Sequence, residues 1–112
     1  AGAVGIMQIK PSTAADRNVG IENVNELENN IHAGTKYLRF IADRYYSDES
    51  FDEMNQWLFS LAAYNAGPAR VRKMRTMAAE RGYDPKNFSA MPFSRAGLIS
   101  LIFILSNAGV PP

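Results

Sequence analysis

The 112-residue chain has no cysteine and only one histidine. The absence of cysteine excludes a disulfide scaffold, a cysteine-based zinc or iron–sulfur site and a thiol nucleophile. Because His32 is the single histidine, a histidine-rich metal site is impossible, and a Ser-His-Asp triad would depend on that residue alone. Carboxylate, hydroxyl and amide chemistry remain open to this chain.

The chain also has almost no net charge. Twelve Lys and Arg residues against eleven Asp and Glu residues leave a formal charge of +1, which is too small for the global positive field of a typical nucleic-acid binder. One predicted helix is locally basic, and we expect its cations to form a solvated face with no nucleic-acid partner. These cations are Arg70, Arg72, Lys73, Arg75 and Arg81.

Long hydrophobic runs are lacking as well. The stretch from Leu98 to Leu105 is apolar except for Ser100, but at about 1.5 Å per residue it covers only about 12 Å, far less than a bilayer. We expect a buried helix or strand there, with an exposed tail as the alternative. The first residues lack the pattern of a signal peptide, and we expect them to be the interior of a longer protein.

Helix signals begin near the N-terminus. Pro11 starts a short helix that Gly20 ends, and Asn25 is the candidate N-cap of a helix of about twenty residues. The predicted apolar seam of this long helix is Leu27, Ile31, Gly34, Leu38, Ile41 and Tyr45. Because glycine is a poor helix former, Gly34 on the seam indicates a close neighbour, and we expect another helix to pack there.

A third and a fourth helix follow. Asp52 is the candidate N-cap of the third, Gly67 suits the position just after it, and Pro68 suits the first turn of the fourth, which Gly82 ends. The predicted seam of the third helix is Met54, Trp57, Leu58, Leu61, Ala62 and Asn65. That of the fourth is Val71, Met74 and Ala78.

A last, mostly apolar helix is predicted from Ser94 to about Asn107. The sequence shows no alternating strand pattern and no internal repeat. These signals together predict an all-α domain of four or five helices joined by short loops.

Two stretches contain groups suited to binding a sugar. In the first, Gly2 and Gly5 permit a tight backbone near a ligand, while Met7 and Gln8 offer an adaptable thioether and a directional amide. The alternative is a glycine-rich turn with Met7 in the core.

The second stretch, residues 62–67, is the predicted end of the third helix. Its small residues allow a close approach, while Tyr64 and Asn65 supply a ring face, a hydroxyl and an amide. The alternative is a capped helix end with a buried tyrosine.

Taken together, these stretches resemble the catalytic domain of the lytic transglycosylases, goose-lysozyme-like enzymes that cleave bacterial peptidoglycan. The family motif G-A-x-G-L-M-Q-x-x-P-x-T-A is matched by residues 2–14, with Ile6 in place of Leu. The motif N-I-x-x-G-x-x-Y-L is matched by residues 30–38, and A-Y-N-A-G by residues 63–67. The resemblance covers residues 1–88 and implies a lysozyme-like helical fold.

The resemblance implies non-hydrolytic cleavage between N-acetylmuramic acid and N-acetylglucosamine. One Glu protonates the leaving oxygen, and its carboxylate then takes the proton from the sugar's 6-hydroxyl as a 1,6-anhydro ring closes. That Glu needs a raised pKa, which a partly apolar pocket supplies. The family implies no metal or organic cofactor. It assigns Met7 and Gln8 to the glycan groove, and Tyr64 and Asn65 to holding the substrate and positioning the acid.

The catalytic Glu-Ser pair of the family precedes the glycine-rich motif, so the resemblance places the general acid upstream of residue 1 and no catalytic residue within the chain. Glu49-Ser50 follows that motif, and we interpret it as a solvated loop. We expect the chain alone to be inactive. Residues 1–90 are interpreted as a partial lysozyme-like domain, and residues 91–112 as an unplaced loop and apolar helix.

Two alternatives remain open: a non-catalytic glycan-binding remnant, and a hydrolase like goose-type lysozyme. By resemblance, the partner is the glycan strand of peptidoglycan. The expected location is the bacterial cell envelope, periplasmic or extracellular, with any membrane tether in regions outside this chain. The sequence makes no prediction of oligomeric state.

Overall fold

A computed structural model describes residues 2–48 and 50–91. Four α-helices account for most of this part of the chain: α1 (Pro11–Ala15), α2 (Leu27–Tyr45), α3 (Glu53–Ala66) and α4 (Pro68–Glu80). A 3₁₀ turn at Phe88–Ala90 follows. Within the described ranges there is no strand, only an isolated antiparallel bridge between Val4 and Ile9. The all-α prediction is confirmed; the predicted last helix and the apolar stretch 98–105 lie outside the described residues.

The described residues fall into two compact units, 2–40 and 41–91. The first unit has a core of small and medium apolar side chains, which are Ile9, Ala14, Val19, Val24 and Ala33. Val4, Ile21 and Tyr37 are partly buried against this core.

Helix α2 has the predicted length but buries a different face in its first turns. Ile41 is fully buried as predicted, yet Leu27 is 62% exposed and Ile31 is 43% exposed. The buried face contains Asn30 and Ala33 instead. The seam prediction was wrong there because it followed the large apolar side chains, whereas this face is built from small residues and one amide.

Helices α3 and α4 pack against each other in the second unit. Asp52 caps α3 as predicted, since its Oδ1 accepts from the Asn55 amide N–H at 2.7 Å. Gly67 ends α3 with a left-handed φ of 92°, and Pro68 begins α4 directly afterwards. These boundary predictions are confirmed. They could be made from the sequence because each boundary depends on the backbone chemistry of a few neighbouring residues.

The buried face of α3 also differs from the prediction. Phe59, Ser60 and Ala63 are buried, whereas Met54 is 70% exposed. Helix α4 agrees with its predicted seam, because Val71 and Ala78 are buried.

Four aromatic rings form the centre of the second unit, which we call the aromatic cluster: Tyr46, Phe51, Phe59 and Phe88. The Phe59 ring is central, with centroid distances of 5.9 Å to Tyr46, 5.8 Å to Phe51 and 5.3 Å to Phe88. The Phe51 and Phe88 rings meet Phe59 edge to face, and the Tyr46 ring stacks on it. Aromatic pairs at these separations stabilise a core beyond simple area burial.

The Arg75 guanidinium packs on the aromatic cluster. It lies 4.8 Å from the Phe51 ring centroid and 5.5 Å from that of Phe59, and its Nε donates to the Pro85 carbonyl at 2.7 Å. The prediction that Arg75 belongs to a solvated face was therefore wrong. The exposed positions of Arg70, Arg72 and Lys73 agree with it.

In residues 2–48 and 50–91, no helix is long and apolar enough to cross a membrane. The same residues contain no group of three or more side chains that could hold a metal ion. His32 is exposed on α2, as expected for a histidine off the buried face.

Candidate functional site

Residues 4–9 form a tight turn that carries the first pair of predicted site residues; we call it the glycine loop. The Val4 N–H donates to the Ile9 carbonyl at 3.0 Å, and the Ile9 N–H donates back to Val4 at 3.2 Å. Inside this bridge, the Gln8 N–H donates to the Gly5 carbonyl at 3.1 Å. The glycine loop is therefore closed by hydrogen bonds within its own backbone.

The side chain of Asn30 holds the glycine loop on α2. Its Nδ2 donates to the carbonyls of Val4 and Val24, each at 2.8 Å, and its Oδ1 accepts from the Met7 N–H at 2.9 Å. Asn30 is only 1% exposed. A buried amide with both donors and its carbonyl engaged is a stabilising and directional contact.

Two glycines allow this close approach. A Cβ at Gly5, where φ is +73°, would overlap the Asn30 amide group. A Cβ at Gly34 would lie 2.5 Å from the Met7 Cβ. The prediction of a close neighbour at Gly34 is confirmed, but the neighbour is Met7 of the glycine loop and not another helix.

Met7 and Gln8 differ in exposure. Met7 is partly buried over Gly34, whereas Gln8 is exposed. Gln8 has a left-handed φ of 47°, and its Nε2 donates to the Gly5 carbonyl at 2.8 Å. The loop thus presents a thioether beside an amide whose direction is fixed by its own backbone.

Tyr64 and Asn65 lie in the last turn of α3, and both are partly buried. Asn65 lines a pocket of about 130 Å³ between α3, α4 and the 3₁₀ turn. The other lining residues are Ala62, Ala66, Arg70, Val71, Met74 and Phe88. The pocket is mainly apolar, and Asn65 and Arg70 are the lining residues with polar side chains.

The sequence matches the model of the Transglycosylase SLT domain family over residues 1–87. The chain belongs to this family. It is 34% identical over 84 residues to membrane-bound lytic murein transglycosylase F of Pseudomonas fluorescens strain Pf0-1, covering 75% of this chain and 16% of that protein. It is 38% identical over 84 residues to the protein of the same name from Shewanella woodyi, covering 75% of this chain and 17% of that protein.

The soluble lytic murein transglycosylase of Escherichia coli K12 is 36% identical over 101 residues, which cover 83% of this chain and 14% of that protein. This SLT chain therefore spans less than a fifth of the length of these relatives. No solved structure matches it.

The structure places the four predicted site residues of the SLT chain in two pairs. Met7 and Gln8 lie in the first unit, and Tyr64 and Asn65 lie in the second. Asn30 is the first residue of the N-I-x-x-G-x-x-Y-L motif, but sequence reasoning assigned it no role. Its position in that motif was the available signal, because it lies off the predicted seam and its partners lie 6 to 26 residues away along the chain.

The turn around residue 48 is polar and exposed, in agreement with the interpretation of Ser50 as part of a solvated loop; Glu49 lies outside the described residues. The Ser50 N–H and hydroxyl both donate to Asp48 Oδ1, at 2.9 and 2.8 Å. These hydrogen bonds, together with the Lys86 ammonium, hold the pKa of Asp48 below its usual value. A carboxyl with a lowered pKa is a poor general acid near neutral pH.

Proposed function

We propose that this SLT chain supplies the glycan-binding part of a peptidoglycan lytic transglycosylase. The reaction is cleavage of the MurNAc–GlcNAc bond with formation of a 1,6-anhydro-muramoyl product. The observation that carries the proposal is the family match over residues 1–87, which includes the glycine loop. The curated relatives named above are lytic murein transglycosylases, which supports the same activity.

Four side chains are proposed to contact the glycan. Met7 offers a polarizable apolar surface to a sugar ring, and the Gln8 amide offers a hydrogen bond to a hydroxyl or acetamido group. Tyr64 and Asn65 supply a ring face and an amide, which hold the substrate and position the acid. Each of these groups is uncharged, which suits a neutral sugar backbone.

The chemical step requires one carboxyl that first donates a proton to the leaving oxygen and then, as carboxylate, accepts one from the 6-hydroxyl. The proton count balances, because the proton given to the leaving group is replaced by the one removed from the substrate. We assign this Glu to the longer protein, since the Glu-Ser pair that precedes the glycine-rich motif in the family is not among these 112 residues. The reaction as proposed uses no metal or organic cofactor.

Product analysis tests the reaction. The longer natural protein that contains these residues is incubated with peptidoglycan, and the soluble products are weighed by mass spectrometry. Anhydro-muropeptides, lighter by one water than hydrolysis products, are expected. Products with a reducing end would instead identify a lysozyme-like hydrolase, and glycan binding without any cleavage would identify a non-catalytic binding module.

Two variants connect the products to this chain. Gln8→Leu removes the amide of the glycine loop and is expected to raise KM, because a hydrogen bond to the substrate is lost. His32→Ala changes an exposed residue of α2 and serves as the control. The 112-residue chain alone is expected to release no anhydro product, and appreciable release would place the acid among its own carboxylates.

The proposed location is the bacterial cell envelope, periplasmic or extracellular, because peptidoglycan is found there. The names of the relatives include both membrane-bound and soluble proteins. We propose that any membrane tether lies in regions outside this chain. Fractionation of cells producing the tagged natural protein tests this, and recovery in the cytoplasmic fraction would contradict it.

A further inference from the structure

Asn30 ties the glycine loop to helix α2, and we propose that it is a positioning residue that sets how Met7 and Gln8 meet the glycan. The inference rests on the proposed glycan-binding role of the loop. It adds a residue that does not itself contact the substrate but determines the shape of the surface that does.

The Asn30 side chain spans the turn. Its Nδ2 is bonded to the Val4 carbonyl before the tip of the glycine loop, and its Oδ1 is bonded to the Met7 N–H after the tip. Both sides of the turn are thus fixed to one rigid planar group, which determines the direction in which the Met7 and Gln8 side chains leave the loop. The third bond, to Val24, anchors the same amide to the segment that leads into α2.

The backbone of Gln8 depends on this support. A φ of 47° is uncommon for a residue other than glycine, and such conformations persist where the surrounding structure over-determines them. Asn30 bonds the residue directly before Gln8, and the Val4–Ile9 bridge bonds the residue directly after it. Without Asn30, Gln8 is free to relax toward a negative φ, and its amide would then point elsewhere.

A pair of asparagine variants separates positioning from general stability. Asn30→Leu keeps a similar shape and removes all three hydrogen bonds. Asn29→Leu makes the same change one residue earlier, where the side chain donates to the Asn23 carbonyl and to Glu26. The affinity of the 112-residue chain for a GlcNAc tetramer is measured by NMR titration. We expect it to fall at least tenfold for Asn30→Leu and to stay within twofold for Asn29→Leu.

A pair of glycine variants tests the same contact from the loop side. Gly5→Ala and Gly20→Ala both place a Cβ at a positive φ, +73° and +67°, but only at Gly5 does the new atom meet Asn30. Gly5→Ala is expected to weaken tetramer binding like Asn30→Leu, whereas Gly20→Ala leaves it within twofold. This pair decides the question by itself if Asn30→Leu does not fold.

Hydrogen exchange of the Met7 amide gives a readout in the absence of glycan. In the Asn30 and Gly5 variants this amide is expected to exchange faster, while amides of the Val19 and Ala33 core keep their protection. Uniformly faster exchange across that core would show a structural role only and would overturn the proposal.

The outcomes distinguish the two levels of inference. If the unchanged chain binds the tetramer and the Asn30 and Gly5 variants bind it equally well, the positioning role is overturned and the proposed function stands. If the unchanged chain binds no glycan, the proposed function is overturned together with this inference.

Discussion

The two units of the chain are held together by different chemistry. In the first, small apolar residues form the core, and one buried amide is hydrogen-bonded to the glycine loop. In the second, four aromatic rings and one guanidinium fill the centre. In a unit held by directional hydrogen bonds and close glycine contacts, a substitution mainly changes the geometry of the loop. In a unit held by buried rings, a substitution mainly lowers the free energy of unfolding.

The largest expected effect tests the aromatic cluster. Phe59→Ala removes a fully buried ring with three aromatic neighbours and is expected to lower the free energy of unfolding by about 3–5 kcal/mol. Met54→Ala, on the exposed side of the same helix, is the control and is expected to change it by less than about 0.5 kcal/mol. Urea denaturation measures both, and equal values would contradict the observed burial of Phe59.

A smaller effect is expected for the cation on the aromatic cluster. Arg75→Met removes the hydrogen bond to Pro85 and the charge above the rings, with an expected loss of about 1.5–3 kcal/mol. Arg72→Met, at an exposed position on α4, is expected to be nearly neutral. Indistinguishable denaturation midpoints for the two variants would restore the interpretation of one solvated cationic face.

The next test moves to the first unit. Gly34→Ala improves the intrinsic helix propensity of α2 by roughly 1 kcal/mol but forces a methyl group against Met7, and overpacking costs about 1–3 kcal/mol. We expect net destabilisation in thermal unfolding together with shifted Met7 and Gln8 NMR resonances. An increase in melting temperature with an unchanged loop spectrum would show that the contact is not tight.

The last test concerns pH, and near neutral pH it predicts no change. Burial raises the pKa of Tyr46 to about 12, opposed by the nearby Arg75 charge. Since the pKa is higher in the folded than in the unfolded state, this group favours folding below pH 10, and its contribution is lost between pH 10 and about 12. Tyr46→Phe is expected to lose less stability than the unchanged chain over this range in denaturation at fixed pH values. Parallel pH profiles of the two proteins would contradict the shift.

Helix boundaries were predictable because the residues that determine them are local. Asp52, Gly67 and Pro68 act on the backbone within one turn, and the sequence places them unambiguously. Buried faces were harder to predict. Leu27 and Met54 are large and apolar, yet both are exposed. On α2, the face that the glycine loop covers is built from small residues and not from Leu27. On α3, the buried residue is Phe59, and the rings that surround it come from distant segments of the chain.

In the candidate site, too, local features could be predicted from the sequence and long-range contacts could not. Met7, Gln8, Tyr64 and Asn65 could be singled out by residue type and motif, and their contacts with glycan stay a prediction. The hydrogen bonds of Asn30 could not be predicted from the sequence, because they join it to a loop 23 to 26 residues away along the chain. Arg75 was misassigned for a related reason, since charge favours solvent unless a set of rings is known to lie beside it.

The buried amide of Asn30 has a consequence for sequence variation. Aspartate lacks its two donors, glutamine is longer by a methylene group, and serine is too short to reach three partners at once. A library containing all twenty residues at position 30, selected for binding of the GlcNAc tetramer, should therefore return asparagine almost alone. The neighbouring position 29 should tolerate a broad range of side chains in the same selection.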